Sequence, residues 1–215
     1  MLKRIKNFLH IRTQKVEKSV YNKIDDLFES LNEDIVTVYL GADLVKYGEL
    51  TCTIIGELRE EVKDECGFII PPVRIKENDA IQENQYNVLI RDKKVGQIYV
   101  IPTEEGIRSE FYDVMKSIIY EHLDEIFTNE IAEKYINTVQ KNNGWLIWNI
   151  TNVLSIVDIK TILADIISKG KSINNINYIF EKMGEYILSD GICQSAGKKF
   201  NPHMISQAIS KYLYK

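Results

Sequence analysis

The stretch Gly67-Phe68-Ile69-Ile70-Pro71-Pro72-Val73-Arg74-Ile75 decides how the first half of this 215-residue chain is read. Ahead of it, Ile54, Ile55, Leu58, Val62 and Cys66 recur at helical spacing, which predicts a helix over 51–66 with Thr51 as its N-cap. Gly67 stands where such a helix needs a left-handed stop. Residues 68–70 and 73–75 are strand-like in composition. Pro71 and Pro72 remove two ladder donors, so the strand is broken there or lies at a sheet edge.

Working outward, residues 35–40 (Ile-Val-Thr-Val-Tyr-Leu) predict a strand that Gly41 ends, and Leu44-Val45 forms a second short apolar stretch. Downstream, apolar 86–90 and 95–101 flank a polar turn at 91–94, which is a hairpin. Residues 35–102 therefore read as a small α/β subdomain of strands and one helix. Pro102 marks its end, and 103–215 has helical periodicity throughout. Helices are expected at 107–127, 129–141, 145–153 and 156–168, the last opened by a Ser155/Asp158 capping box and closed by Gly170. Ser172 is expected to cap a further helix bearing Ile176, Ile179, Phe180 and Met183. Residues 189–199 read as a loop, and Asn201-Pro202 opens a last helix. The fold class is α+β: a small α/β subdomain followed by a mostly helical region.

Residues 1–34 form a third segment, a basic amphipathic helix. Leu2, Ile5, Leu9, Val16, Val20 and Ile24 make an apolar stripe, and Lys3, Arg4, Lys6, Arg12 and Lys15 supply positive charge. Such a helix either packs on its own domain or meets a partner or an anionic membrane surface. It lacks the continuous apolar core of a signal peptide. No apolar run approaches the ~18–20 residues of a membrane-spanning helix, and a cytoplasmic location is expected, membrane-peripheral in the alternative.

Composition excludes several classes of function. Apolar residues at 45% and charged residues at 27% describe an ordinary globular chain. A net charge of −4 gives no general attraction to nucleic acid. Cys52, Cys66 and Cys193 are too scattered for a disulfide framework and read as reduced and mostly buried. His10, His122 and His203 form no metal-spaced pair, and the residues of Glu121-His122-Leu123-Asp124-Glu125 point in different directions on a helix. Phosphate-binding and nucleophile-elbow glycine motifs are absent, and Ser195-Ala196-Gly197-Lys198-Lys199 lacks a strand to aim it. No catalytic, metal or cofactor site is expected, and the chain reads as non-enzymatic. Trp145 and Trp148, three apart on an apolar turn, read as core packing, with an exposed partner patch as the alternative.

The run from Leu58-Arg59 through Val62, Cys66 and the 67–75 stretch to Lys76-Glu77-Asn78 resembles the FHIPEP family of type III and flagellar export-gate proteins. In that family an arginine-bearing helix ends at a glycine and continues as a Gly-Phe-Val-Val-Pro-Pro-Val-Arg-Ile-like strand. An Asn-x-Tyr step, here Asn84-Gln85-Tyr86, and a hairpin follow. Leu40-Gly41-Ala42-Asp43-Leu44-Val45 is similar to the family's opening glycine-led strand. Far downstream, Leu154 to Leu163 and then Gly170-Lys171-Ser172-Ile173-Asn174-Asn175-Ile176 look like its next helix, glycine and cap.

The resemblance spans roughly residues 36–187 and implies a cytoplasmic export-gate domain that docks protein partners, secretion chaperones and export-apparatus components among them, and that self-associates. It singles out Arg59, Arg74 and Tyr86 as partner-binding candidates beside Trp145 and Trp148. Four departures are expected: no transmembrane region precedes the domain, the small subdomain the family places after the hairpin is missing, Asn174-Asn175 stands where the family usually has Arg-Asp, and the C-terminal end is shortened and diverged. The alternative reading is a membrane-surface adaptor using the basic N-terminal helix. Liposome co-sedimentation separates the two: an adaptor loses membrane binding when residues 1–34 are removed, and equal, negligible binding of both chains ends that reading.

Overall fold

The computed structural model describes residues 34–191 and 200–213, with the side chains of 190 and 191 left aside. The expected N-terminal helix, with Lys3, Arg4, Lys6, His10, Arg12 and Lys15, lies outside the described residues, as do Cys193 and the 195–199 loop. From Ile35 onward the chain forms one compact unit.

Four strands come first: β1 (Val36–Leu40), β2 (Val73–Glu77), β3 (Gln85–Ile90) and β4 (Lys93–Tyr99), in the order β2-β1-β3-β4. β1 runs parallel to β2, with Val36 opposite Val73, and antiparallel to β3, with Val36 opposite Ile90. A parallel neighbour needs a crossover, and helix α1 (Gly48–Cys66) supplies it. The two central strands are almost wholly buried, whereas β2 and β4 form the exposed edges. The hairpin turn is only two residues long. Arg91 and Asp92 adopt φ of 48° and 61°, the left-handed pair that matches the twist of adjoining strands.

Seven helices follow among the described residues: α2 (Glu104–Glu121), α3 (Leu123–Ile126), α4 (Asn129–Gln140), α5 (Gly144–Thr151), α6 (Ile156–Ser168), α7 (Ile176–Gly191) and α8 (Pro202–Ser210). The expected 107–127 helix is thus two, separated at His122. α2 packs on α1 and β4, and Lys116 on α2 joins Glu61 and Glu65 of α1 at 2.6 and 2.9 Å. α4 lies against α5, α6 and α7, and α6 packs on α8. The α+β architecture inferred from sequence is the one observed.

Several local expectations hold. Gly67 caps α1 at φ 78°, and a Cβ there would lie 2.6 Å from the Asn174 amide. The Ser155/Asp158 capping box forms with both of its bonds, and Asn201 caps α8 with Pro202 at its start.

Others need correction. The 3-10 turn Ala42–Tyr47 occupies the apolar 44–45 stretch, and α1 begins at Gly48, so Thr51 is no cap. Its hydroxyl is buried, donates to the Tyr47 carbonyl at 3.0 Å and meets the Tyr86 hydroxyl at 3.0 Å. Ser172 accepts from the Asn174 amide; it is Asn175 that accepts from Tyr178 in the first turn of α7. Cys52 is exposed, and only Cys66 of the described cysteines is buried.

Residues 68–70 are buried in part but form no strand, because their backbone groups are taken by side chains. Tyr135 on α4 donates its hydroxyl to the Gly67 carbonyl at 2.6 Å and accepts from the Ile69 amide at 3.0 Å. Arg59 Nε donates to the Ile70 carbonyl at 3.1 Å. Phe68 stacks 5.3 Å from Phe127, which meets Tyr135 at 5.8 Å. Asn174 closes the other side, its side chain donating to the Asp64 carbonyl at 2.9 Å. Burial pushes the Tyr135 phenol up to about 12, so it stays a donor at neutral pH.

Tyr135→Phe keeps the ring and strips both hydrogen bonds, leaving the buried Gly67 carbonyl unpaired. We expect it to destabilise the chain by about 1–3 kcal/mol, read as a lowered urea midpoint with an unchanged slope.

Candidate interaction surface

α5 is the most apolar helix among the described residues, carrying Trp145, Leu146, Ile147, Trp148 and Ile150 within eight residues. Asn143 starts it by accepting from the Leu146 amide at 3.1 Å. At 100° per residue the two tryptophans fall on one side and Ile147 and Ile150 on the opposite one. The isoleucines are buried, and the tryptophans are 72% and 62% exposed. The core-packing expectation for Trp145 and Trp148 is therefore corrected: a helix this short has room for one buried face, and the isoleucines hold it.

Beside α5 runs α7. Gly184 marks the closest approach, where a Cβ would lie 2.8 Å from Leu146 Cδ1. Between the helices opens a groove of about 460 Å³. Leu146, Ile150 and Ile187 make its floor, Trp145, Val153 and Leu188 its apolar walls, and Glu181 and Glu185 its charged rim. Leu188 is 62% exposed. Trp148 flanks the groove without lining it. The groove is concave and predominantly apolar, with carboxylates of one sign at the edge.

The remaining sequence candidates lie apart from it. Arg59 bonds the Ile70 carbonyl through its Nε. Arg74 is exposed on edge strand β2. Tyr86 is fully buried, packed 4.5 Å from Phe111 and bonded to Thr51, so its side chain is core and is not available to a partner. Sequence reasoning missed Val153, Leu188 and Glu181. For Leu188 a signal existed, since it falls off the Ile176, Ile179, Phe180, Met183 and Ile187 stripe.

One titratable cluster lies elsewhere, where α8 meets α6. Asp165 Oδ2 is 2.5 Å from His203 Nδ1 and 2.9 Å from Ser206 Oγ, and Lys169 Nζ donates to Ser206 Oγ at 2.9 Å. Histidine and serine both address the carboxylate and not each other, so no imidazole faces the hydroxyl, and Ser206 is fully buried. The cluster clamps two helices. Among the described residues, no group of three His, Cys, Asp or Glu side chains could hold a metal ion, and no helix is long and apolar enough to cross a membrane.

Residues 6–110 match the FHIPEP family, a span that contains the arginine-bearing helix, the glycine stop, the diproline and the hairpin. Over this span the chain is similar to the FHIPEP family. The flagellar biosynthesis protein FlhA of Bacillus subtilis is 24% identical over 191 residues, covering 67% of this chain. FlhA of Borreliella burgdorferi is 20% identical over 226 residues, covering 82%. The chain spans only 28% and 32% of the length of these two relatives. Its fold is shared with the Chlamydia pneumoniae CdsV protein (TM-score 0.66, 10% identity, 81% of this chain and 65% of that one), solved also in complex with CdsO. Nonameric EPEC SctV-C has the same fold, with a TM-score of 0.62 and 9% identity over 83% of this chain and 65% of its own.

Burial pushes the Asp165 carboxyl up, but hydrogen bonds from His203 and Ser206 and the charges of His203 and Lys169 outweigh it, holding it below the usual carboxylate range. A depressed carboxyl lends stability that is complete above its unfolded value, about 4, and is lost as pH falls through its lowered folded value. Asp165→Asn should thus be less stable than the parent chain at neutral pH. Urea midpoints measured downward from about pH 7 should keep this gap to about pH 4 and show it closing below.

Proposed function

We propose that this chain is a non-enzymatic protein-interaction domain of the export-gate type, which docks protein partners on the α5–α7 groove. The observation that carries the proposal is the joint exposure of Trp145, Trp148, Val153 and Leu188 around one apolar concavity. Tryptophan is enriched among residues that dominate binding energy, and contiguous exposed apolar surface marks interaction sites. A patch of this kind is costly to leave in water unless something covers it.

The relatives supply the class of partner. CdsV has been solved bound to CdsO, and SctV-C as a nonamer, so proteins with this fold meet both other proteins and copies of themselves. Export-apparatus components and secretion chaperones are accordingly the partners to seek, with self-association as the second form of docking. Catalysis has no support from residue geometry: the one Ser, His and Asp grouping among the described residues clamps two helices, with His203 and Ser206 both bonded to Asp165.

The test is affinity capture from an extract of the source cell, comparing the parent chain with a Trp145→Ala/Leu188→Ala variant and identifying the bound proteins by mass spectrometry. Both side chains are largely exposed, so the variant should fold normally. We expect at least one protein captured in stoichiometric amount by the parent chain to fall about tenfold or more with the variant. Equal recovery by both chains overturns the groove as the docking face.

A further inference from the structure

We infer that the α5–α7 groove takes a cationic amphipathic helix of a partner protein. The inference rests on the docking function proposed above and adds the chemistry of the occupant. The first argument is backbone chemistry. Both walls are helices whose amides and carbonyls bond within the helix, and the sheet edges belong to β2 and β4. An extended peptide laid here would bury its own backbone groups without partners, whereas a helix satisfies them internally. From Glu181 to Leu188 the α7 wall runs about 12 Å, which suits two to three turns of a partner helix.

The second argument is charge. Glu181 and Glu185 are the charged residues of the lining, which otherwise offers asparagine, tryptophan and aliphatic groups. The cation between them in sequence, Lys182, does not line the groove. Its ammonium sits 2.6 Å from Glu185 and 5.3 Å over the rings of both Tyr178 and Tyr212, on the side facing the C-terminal end of the chain. An incoming lysine or arginine therefore meets the Glu181 carboxylate at the rim, beside a Glu185 already paired with Lys182, and the exposed Trp145 ring, which also attracts a cation. An acidic helix with the same apolar face meets like charge and is rejected. Leucine-sized anchors at i, i+3 and i+4 would fill the floor of Leu146, Ile150 and Ile187.

The experiment uses the full chain and synthetic peptides of about 14 residues, about 21 Å as helix. One is an amphipathic Leu/Lys helix, one its Leu/Glu counterpart, and one a Leu/Lys scramble without an apolar face. Binding is followed by calorimetry and by tryptophan fluorescence. The Leu/Lys helix should bind about tenfold or more tightly than either other peptide, with the margin shrinking at high salt. Glu181→Lys/Glu185→Lys should reverse the preference between the two amphipathic helices. Gly184→Leu should weaken both by closing the groove, with circular dichroism confirming its fold. Equal binding of the Leu/Lys and Leu/Glu helices overturns the inference, as does a preference that survives the double charge reversal. If no peptide binds while cellular capture still depends on Trp145 and Leu188, the occupant is wrong and the docking face stands. If sedimentation shows a dimer lost in the Trp145→Ala/Leu188→Ala variant, the occupant is a second copy and the inference fails.

Discussion

The hydroxyl of Tyr135 holds the structure together at its least regular point. A phenol on α4 bonds the carbonyl of Gly67 and the amide of Ile69, so a helix of the second half supplies what a β-ladder would have supplied to the first. Phe68 then buries itself against Phe127 and brings its neighbours with it. The segment that leaves α1 has no room to wander: Gly67 turns it, Tyr135 and Arg59 pin it, and the two prolines deliver it straight to β2. Burial makes these bonds worth keeping, because an unpaired carbonyl there has no water to turn to.

The same helix sets up the groove. α4 packs on α5, α6 and α7 at once, so the helix that pins residues 67–69 also supports the two helices that wall the concavity. Ile147 and Ile150 point inward from α5, and the tryptophans are left outside by helical geometry alone. Gly184 lets Leu146 approach closely, which seats α5 on α7 while the space toward Val153 and Leu188 stays open. The groove is therefore a by-product of tight packing behind it and not a loosely covered core.

Much of this was legible in the residues. Gly67, the Ser155/Asp158 box and Asn201-Pro202 act through neighbours a few positions away, and local chemistry announced them correctly. The hairpin was legible for the same reason, though its turn is two residues and not four, because Arg91 and Asp92 accept left-handed angles that glycine usually takes. What failed depended on distant partners. Thr51 has the residue type of a cap, but Tyr86 from another strand claims it. Residues 68–70 have strand composition, but Tyr135, far along the chain, takes their hydrogen bonds. Trp145 and Trp148 read as core because hydrophobicity carries no direction; only the count of faces a short helix can bury turns them outward.

The joint at 67–70 has one more consequence, for how this chain can vary between relatives. Tyr135 grips main-chain atoms, and Ile69 itself is 52% exposed. The position is held by its amide and not by its side chain, so evolution is free to write almost any residue there. Proline alone is barred, because it has no N–H to give. A stretch that reads as a hydrophobic word is, at this letter, a grip on the backbone that leaves the spelling open.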